Sequence, residues 1–161
     1  MDEYKSIAEK KKFYGKNYHQ INTLSELKNF INKCVEQENT RSEIYRGVSE
    51  SRYKIYSSLQ RAWIGKDIKS FGAYKSYQDF VNYMLKYLQT NEMLNKYYKA
   101  LNVEQNDWNA MCFLQHYGAP TPLIDFSYNF KVALYFGIDK QVYSAKNDIS
   151  GYFSVYQIKA D

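Results

Sequence analysis

The residues best suited to chemistry crowd into one stretch, Gln115 to Gly137, QHYGAPTPLIDFSYNFKVALYFG. It holds a Gln115–His116 pair, both prolines of the chain (Pro120 and Pro122), the acid Asp125, the hydroxyl of Ser127 and then an apolar run. A plain connector rarely needs so many residues with special backbone or proton chemistry. Three constellations compete around it. Cys112 and His116 lie one helical turn apart, which sets a thiol beside an imidazole, but nucleophile pairs usually come from separated segments. A core cysteine and a histidine bonding a backbone group explain that spacing more simply. Cys112, His116 and Asp125 form a weak metal set, because the chain has only two histidines and no paired-ligand spacing. The third constellation is an anion or dinucleotide site built from Arg46, His116, Asp125 and Ser127. There an arginine clamps a pyrophosphate bidentately and a hydroxyl helps orient a ribose.

These side chains need elements to position them. Thr23-Leu24-Ser25-Glu26 is a capping-box signature, and Leu24, Leu27, Phe30, Ile31, Cys34 and Val35 follow at helical spacing, ending near Gln37 to Thr40. Ile44 to Val48 reads as a short strand carrying Arg46 and Gly47, and a glycine inside a strand marks a bulge or a close approach. Gly65 to Gly72 reads as a loop. Tyr74, Tyr77, Phe80, Val81, Met84, Leu85 and Leu88 keep helical spacing, continued by Met93, Leu94, Tyr97, Tyr98 and Leu101; these are expected in the core. Asn106 or Asp107 caps a helix through Gln115, with Gly118 placed to end it in a left-handed conformation. Pro120 and Pro122 impose an extended path, Leu123 to Phe126 is expected to be a short buried strand, and Asn129 caps a helix burying Val132, Ala133 and Phe136. Tyr152 to Ile158 reads as a strand opened by Gly151.

Composition narrows the class. A chain of 161 residues that is 45% hydrophobic can bury a real core, most simply as one domain. Eighteen tyrosines argue against disorder and predict many half-buried rings. No apolar run reaches the roughly 18 residues that span a bilayer, and the charged start MDEYKSIAEKKKF is not a secretory signal. Cys34 and Cys112 are expected to be reduced core thiols in a cytoplasmic protein. The net charge of +5 is spread out, with Lys10-Lys11-Lys12 the one cluster, so a solvated basic surface is favoured over a polynucleotide site. A small phosphate-bearing ligand needs less positive charge and remains open.

Tyr45-Arg46-Gly47, the run from Gln115 to Ser127 and the run from Ala133 to Gly137 resemble the signatures of the FRG domain family. Its members carry a Tyr/Phe-Arg-Gly, a QHYGxPTRLLDWT-like segment and an ALxFA-like helix. The resemblance spans roughly Asn22 to Ile158. Ser58-Leu59-Gln60-Arg61 matches the end of the family's Pro-Ser-Leu-x-Arg pattern, which makes Arg61 a second candidate anion contact, while Ser57 stands for the proline. Pro122 replaces the arginine of the PTR triplet, Phe126 the tryptophan and Ser127 the threonine; the first loses a five-donor fork. The order of Arg46, then Asp125 to Ser127, then the Val132 to Phe136 helix also looks like that of ADP-ribosyltransferases of the Arg–Ser–Glu type. Those place a late catalytic Glu to stabilise a cationic sugar, yet no glutamate follows Glu104 here. Either the acid lies beyond Asp161 in a longer parent, or one of Asp107, Asp125, Asp139, Asp148 and Asp161 substitutes, or the fold is kept without the reaction.

The resemblance implies an α+β single domain with several helices packed around a small β-sheet, and an ADP-ribosyltransferase-like fold as one form of it. Residues 1–20 are read as an arm or short helix and 21–161 as the FRG domain, with truncation at its C-terminal end one reading. The implied function is a nucleotide module of the NAD or ADP-ribose type, catalytic or only binding. Arg46 would clamp phosphate, His116 orient a ligand or neighbour, Asp125 order the site and Ser127 contact a ribose. The competing class is a non-enzymatic module, structural or for a protein partner, in which Gln115, His116 and Asp125 lock the core by hydrogen bonds.

Overall fold

Seven helices and one two-stranded antiparallel sheet make up an α+β domain among the described residues. The computed structural model describes residues 3–38, 40–65, 74–139 and 149–160. The loop read between Gly65 and Gly72 lies, past Gly65, outside the described residues, as do Asp148 and Asp161. Two compact units are resolved, one from Ile55–Ile124 and one from Asp2–Lys54 with Asp125–Asp161. Among the described residues no helix is long and apolar enough to cross a membrane.

The unit made of the two chain ends holds α1 (Ile7–Tyr14), α2 (Leu24–Glu38), β1 (Glu43–Val48), α7 (Phe130–Ile138) and β2 (Ser154–Lys159). The predicted capping box opens α2: Thr23 Oγ1 accepts from the Glu26 N–H, and the Glu26 carboxylate accepts from the Asn22 and Thr23 N–H groups. Those two backbone bonds hold the Glu26 carboxyl below its usual range. Cys34, Tyr45, Phe130 and Ala133 form the core, with Phe30, Ile31, Leu134 and Val155 packed on it. Phe130 meets both Phe30 and Tyr45 nearly edge-on, at 5.5 and 5.3 Å between ring centroids.

β1 and β2 pair with Arg46 opposite Tyr156, Gly47 opposite Val155 and Val48 opposite Ser154. Side chains alternate along a strand, so Tyr45, Gly47 and Val155 share one face while Arg46, Val48, Ser154 and Tyr156 share the other. The first face lies against α7 so tightly that a Cβ on Gly47 would sit 1.8 Å from the Ala133 carbonyl oxygen and 2.6 Å from the Gly137 nitrogen. The strand glycine thus marks a close approach, as expected. This contact also selects the buried face of α7. Phe130, Ala133 and Gly137 are buried, whereas Val132 and Phe136, expected in the core, are exposed.

The Ile55–Ile124 unit is helical, with α3 (Ser58–Gly65), α4 (Tyr77–Thr90), α5 (Glu92–Leu101) and α6 (Asp107–His116). Leu88, Leu94, Tyr98 and Ala110 are its core, flanked by Met84, Phe113 and Leu114. Asn106 caps α6 by accepting from the Asn109 N–H, and Gly118 follows its end at φ +76°, both as read from the sequence. Cys112 is exposed on α6, unlike the buried Cys34. The helix turns Ala110, Phe113 and Leu114 inward, and Cys112 lies off that face.

Candidate functional site

Arg46, Asp125 and Ser127 come together in the unit built from the chain ends. The Tyr45 N–H donates to the Ser127 carbonyl at 2.7 Å, and the Ser127 N–H returns a bond to the Tyr45 carbonyl at 2.8 Å. Ser127 is therefore fixed beside β1 by a two-bond bridge. One residue along, Arg46 Nη1 donates to the Asp125 backbone carbonyl at 2.6 Å. That side-chain bond occupies an acceptor a strand ladder would need, and pairing is confined to Ser127; Leu123 to Phe126 is irregular rather than the expected strand. The Arg46 and Ser127 side chains are half-buried, and Asp125 is exposed.

Ser127 also starts α7. Its Oγ accepts from the Asn129 N–H at 3.0 Å, and Asn129 caps the helix by accepting from the Val132 N–H. The Glu38 carboxylate accepts from the Phe130 N–H at 2.9 Å, setting a negative group at the positive end of the helix. Beneath, the Tyr45 hydroxyl donates to Glu43, which also accepts from Gln157. Burial, then the charges of Cys34 and Glu43, push the Tyr45 phenol well above its usual range. Burial likewise raises the Cys34 thiol.

Gln115, His116 and Arg61 belong to the helical unit. Gln115 Oε1 accepts from Thr121 Oγ1 at 2.7 Å, and Thr121 is fully buried. The Thr121 N–H donates to Ser58 Oγ, while its carbonyl accepts from the Leu59 N–H and from Ser58 Oγ. This clasp ties the proline-bearing segment to the start of α3. Ser57, which stands where the family pattern has a proline, caps that helix in a capping box with Gln60. Arg61 is exposed and donates to the Tyr56 carbonyl at 2.6 Å. His116 is exposed and meets the Tyr117 ring edge-on. Among the described residues no group of three or more His, Cys, Asp or Glu could hold a metal ion.

A family profile described as the FRG domain matches residues 41–146, more than half of the 161. The chain belongs to the FRG family. No curated protein and no solved structure matches it. The matched span of this FRG domain includes β1, α3 to α7 and the Tyr45–Ser127 bridge, while α1, α2 and β2 lie outside it. Sequence reasoning missed Thr121, Glu38 and Lys10. The Ser57-x-x-Gln60 spacing was a legible capping signal, and Thr121 sits between two prolines that hold it still. Nothing in the pattern of the basic N-terminal run singled out Lys10.

Proposed function

We propose that this FRG domain binds a nucleotide-type anion, of the NAD or ADP-ribose class, beside β1 at Arg46, Asp125 and Ser127. The supporting observation is the backbone bridge between Tyr45 and Ser127, which holds a guanidinium and a hydroxyl one residue apart on neighbouring segments. Arg46 donates to a neutral carbonyl there, and phosphate oxygens are stronger acceptors for the same fork. A second reading, a non-enzymatic scaffold, is favoured by the internal engagement of Gln115, Arg61 and Ser127 Oγ.

Calorimetric titration with NAD and with ADP-ribose, beside thermal unfolding, decides between them. On the binding reading either ligand raises the Tm, and Arg46→Gln abolishes both the heat and the rise. On the scaffold reading neither ligand binds, and Arg46→Gln instead lowers the unligated Tm by several degrees, as the loss of a structural hydrogen bond does.

A further inference from the structure

Helix α1 docks through a face on which its apolar residues Ile7 and Tyr14 are only half-buried. Its one buried side chain is Lys10, 3% exposed, while Phe13 on the same helix is 70% exposed. The Lys10 ammonium donates to the Ser51 carbonyl at 2.8 Å and to Ser154 Oγ at 2.7 Å. It also stands over the rings of Tyr156 and Tyr4, 5.0 and 5.5 Å from their centroids. The hydroxyls around it are ordered in one direction: Ser51 Oγ donates to the Phe153 carbonyl, so it accepts from Ser154, whose oxygen is then left to accept from Lys10. Among the described residues Lys10 has no carboxylate at ion-pair distance. Two carbonyl-or-hydroxyl acceptors and two ring faces thus form a built seat for a primary ammonium.

The seat has a telling position. Ser154 and Tyr156 lie on the face of the ribbon that carries Arg46, with Tyr156 directly opposite Arg46, and Tyr14 of α1 packs on the Tyr156 ring at 5.9 Å. We infer that α1 is a strap over the Arg46 face of the β1–β2 ribbon, latched there by the two hydrogen bonds the Lys10 amino group donates in this seat, so that α1 restricts access to that face. Burial lowers Lys10 to about 8, as expected for an ammonium removed from water. The consequence for nucleotide binding rests on the proposed function; the latch itself does not.

Hydrogen exchange of the full chain tests the latch without any ligand. Lys10→Met removes both hydrogen bonds and keeps the bulk. It is expected to speed exchange of α1 amides by about tenfold or more while β1 and α7 keep their protection. Lys10→Ala is expected to behave likewise and to regain protection in n-propylammonium chloride, which replaces the deleted atoms, but not in sodium chloride of equal strength. Unchanged α1 exchange in Lys10→Met overturns the inference. So does equal loss of protection in α1, β1 and α7, which would make α1 inseparable from the fold, and so does failure of n-propylammonium to restore Lys10→Ala. Titration of Lys10→Met with ADP-ribose then reads the consequence separately. Tighter binding than wild type supports the cover; a released α1 with unchanged affinity overturns the restriction of access and leaves the latch standing. If wild type and variant both fail to bind, the nucleotide reading alone falls.

Discussion

Replacing Gly47 by alanine should damage this domain more than the same change at the helical Gly65 or Gly137 would. The added Cβ falls 1.8 Å from the Ala133 carbonyl oxygen, 2.6 Å from the Gly137 nitrogen and 2.8 Å from the Ala133 carbonyl carbon. A carbon and a carbonyl oxygen settle at about 3.3–3.6 Å, so α7 must retreat from β1 by roughly 1.5 Å. The opposing atoms are helix backbone, so no rotamer change relieves the clash. The retreat would open the contact of Phe130 and Ala133 with Tyr45 and Cys34. Overpacking of this kind costs about 3 kcal/mol, at the top of its usual range, and lowers the Tm of a chain this size by roughly 6–12 °C. Thermal unfolding by circular dichroism reads it, with Gly65→Ala as the control, since nothing among the described residues lies within 4 Å of a Cβ there. A second substitution, Ala133→Gly, should fail to restore Gly47→Ala because it removes a methyl and leaves the offending carbonyl. If Gly47→Ala melts within about 2 °C of wild type, the close strand–helix approach is not what the glycine serves.

Thr121→Val should cost about 1–2 kcal/mol in urea unfolding by removing the buried hydroxyl that Gln115 accepts from, while Thr121→Ser keeps most of it; equal losses would refute the clasp. A maleimide should label Cys112 in the native protein and Cys34 only on unfolding, by mass spectrometry, since Cys34 is buried and its thiol is raised by that burial. The pH dependence of α1 follows from Lys10, which stands over the rings of Tyr4 and Tyr156, with Tyr14 packed on Tyr156 and Lys54 also over the Tyr4 ring. Its docked value of about 8 lies below the ordinary 10.5, so the released state binds the proton more tightly and docking strengthens as pH rises from 8 toward 10.5. Amides of α1 should therefore gain protection, corrected for intrinsic exchange, between pH 7.5 and 9.5 in wild type but not in Lys10→Met. Tyr14 and Tyr156, both pushed up to about 12 by burial, oppose that gain only above their free value near 10.

Much of the architecture was legible because local chemistry fixed it. The Thr23 box, the Asn106 and Asn129 caps and Gly118 act within a few residues of themselves, and tertiary packing left them in place. What needed a partner was not legible. In α7 nearly every residue is apolar, so periodicity had no polar face to exclude, and only the approach of Gly47 shows that Ala133 and Gly137 must turn inward. Cys112 failed for a related reason: α6 is apolar around much of its girth. Lys10 was invisible because hydropathy assigns lysine to water, and its acceptors lie 41 and 144 residues away in sequence. At the candidate site the meeting of Arg46 with Asp125 and Ser127 was anticipated from motif order. The part played by the Ser127 hydroxyl in starting α7 was not, since a serine two residues before a cap has several equivalent uses.

Strand geometry sets a limit on what the family signature can do. Three consecutive residues on one strand cannot all face one ligand, because the outer two turn away from the middle one. Tyr45 and Gly47 are spent on α7, the first through its ring on Phe130 and the second through its missing side chain. Arg46 alone is left to the opposite face, beside Tyr156 and Ser154. Any side-chain ligand chemistry at this triplet therefore belongs to Arg46, while Tyr45 fixes Ser127 through its backbone and, with Gly47, holds β1 at a fixed height above α7. The division separates two kinds of variant. Changes at Tyr45 or Gly47 should act on stability first and on binding only through it, whereas a change at Arg46 can alter binding in a domain whose α7 contact is intact.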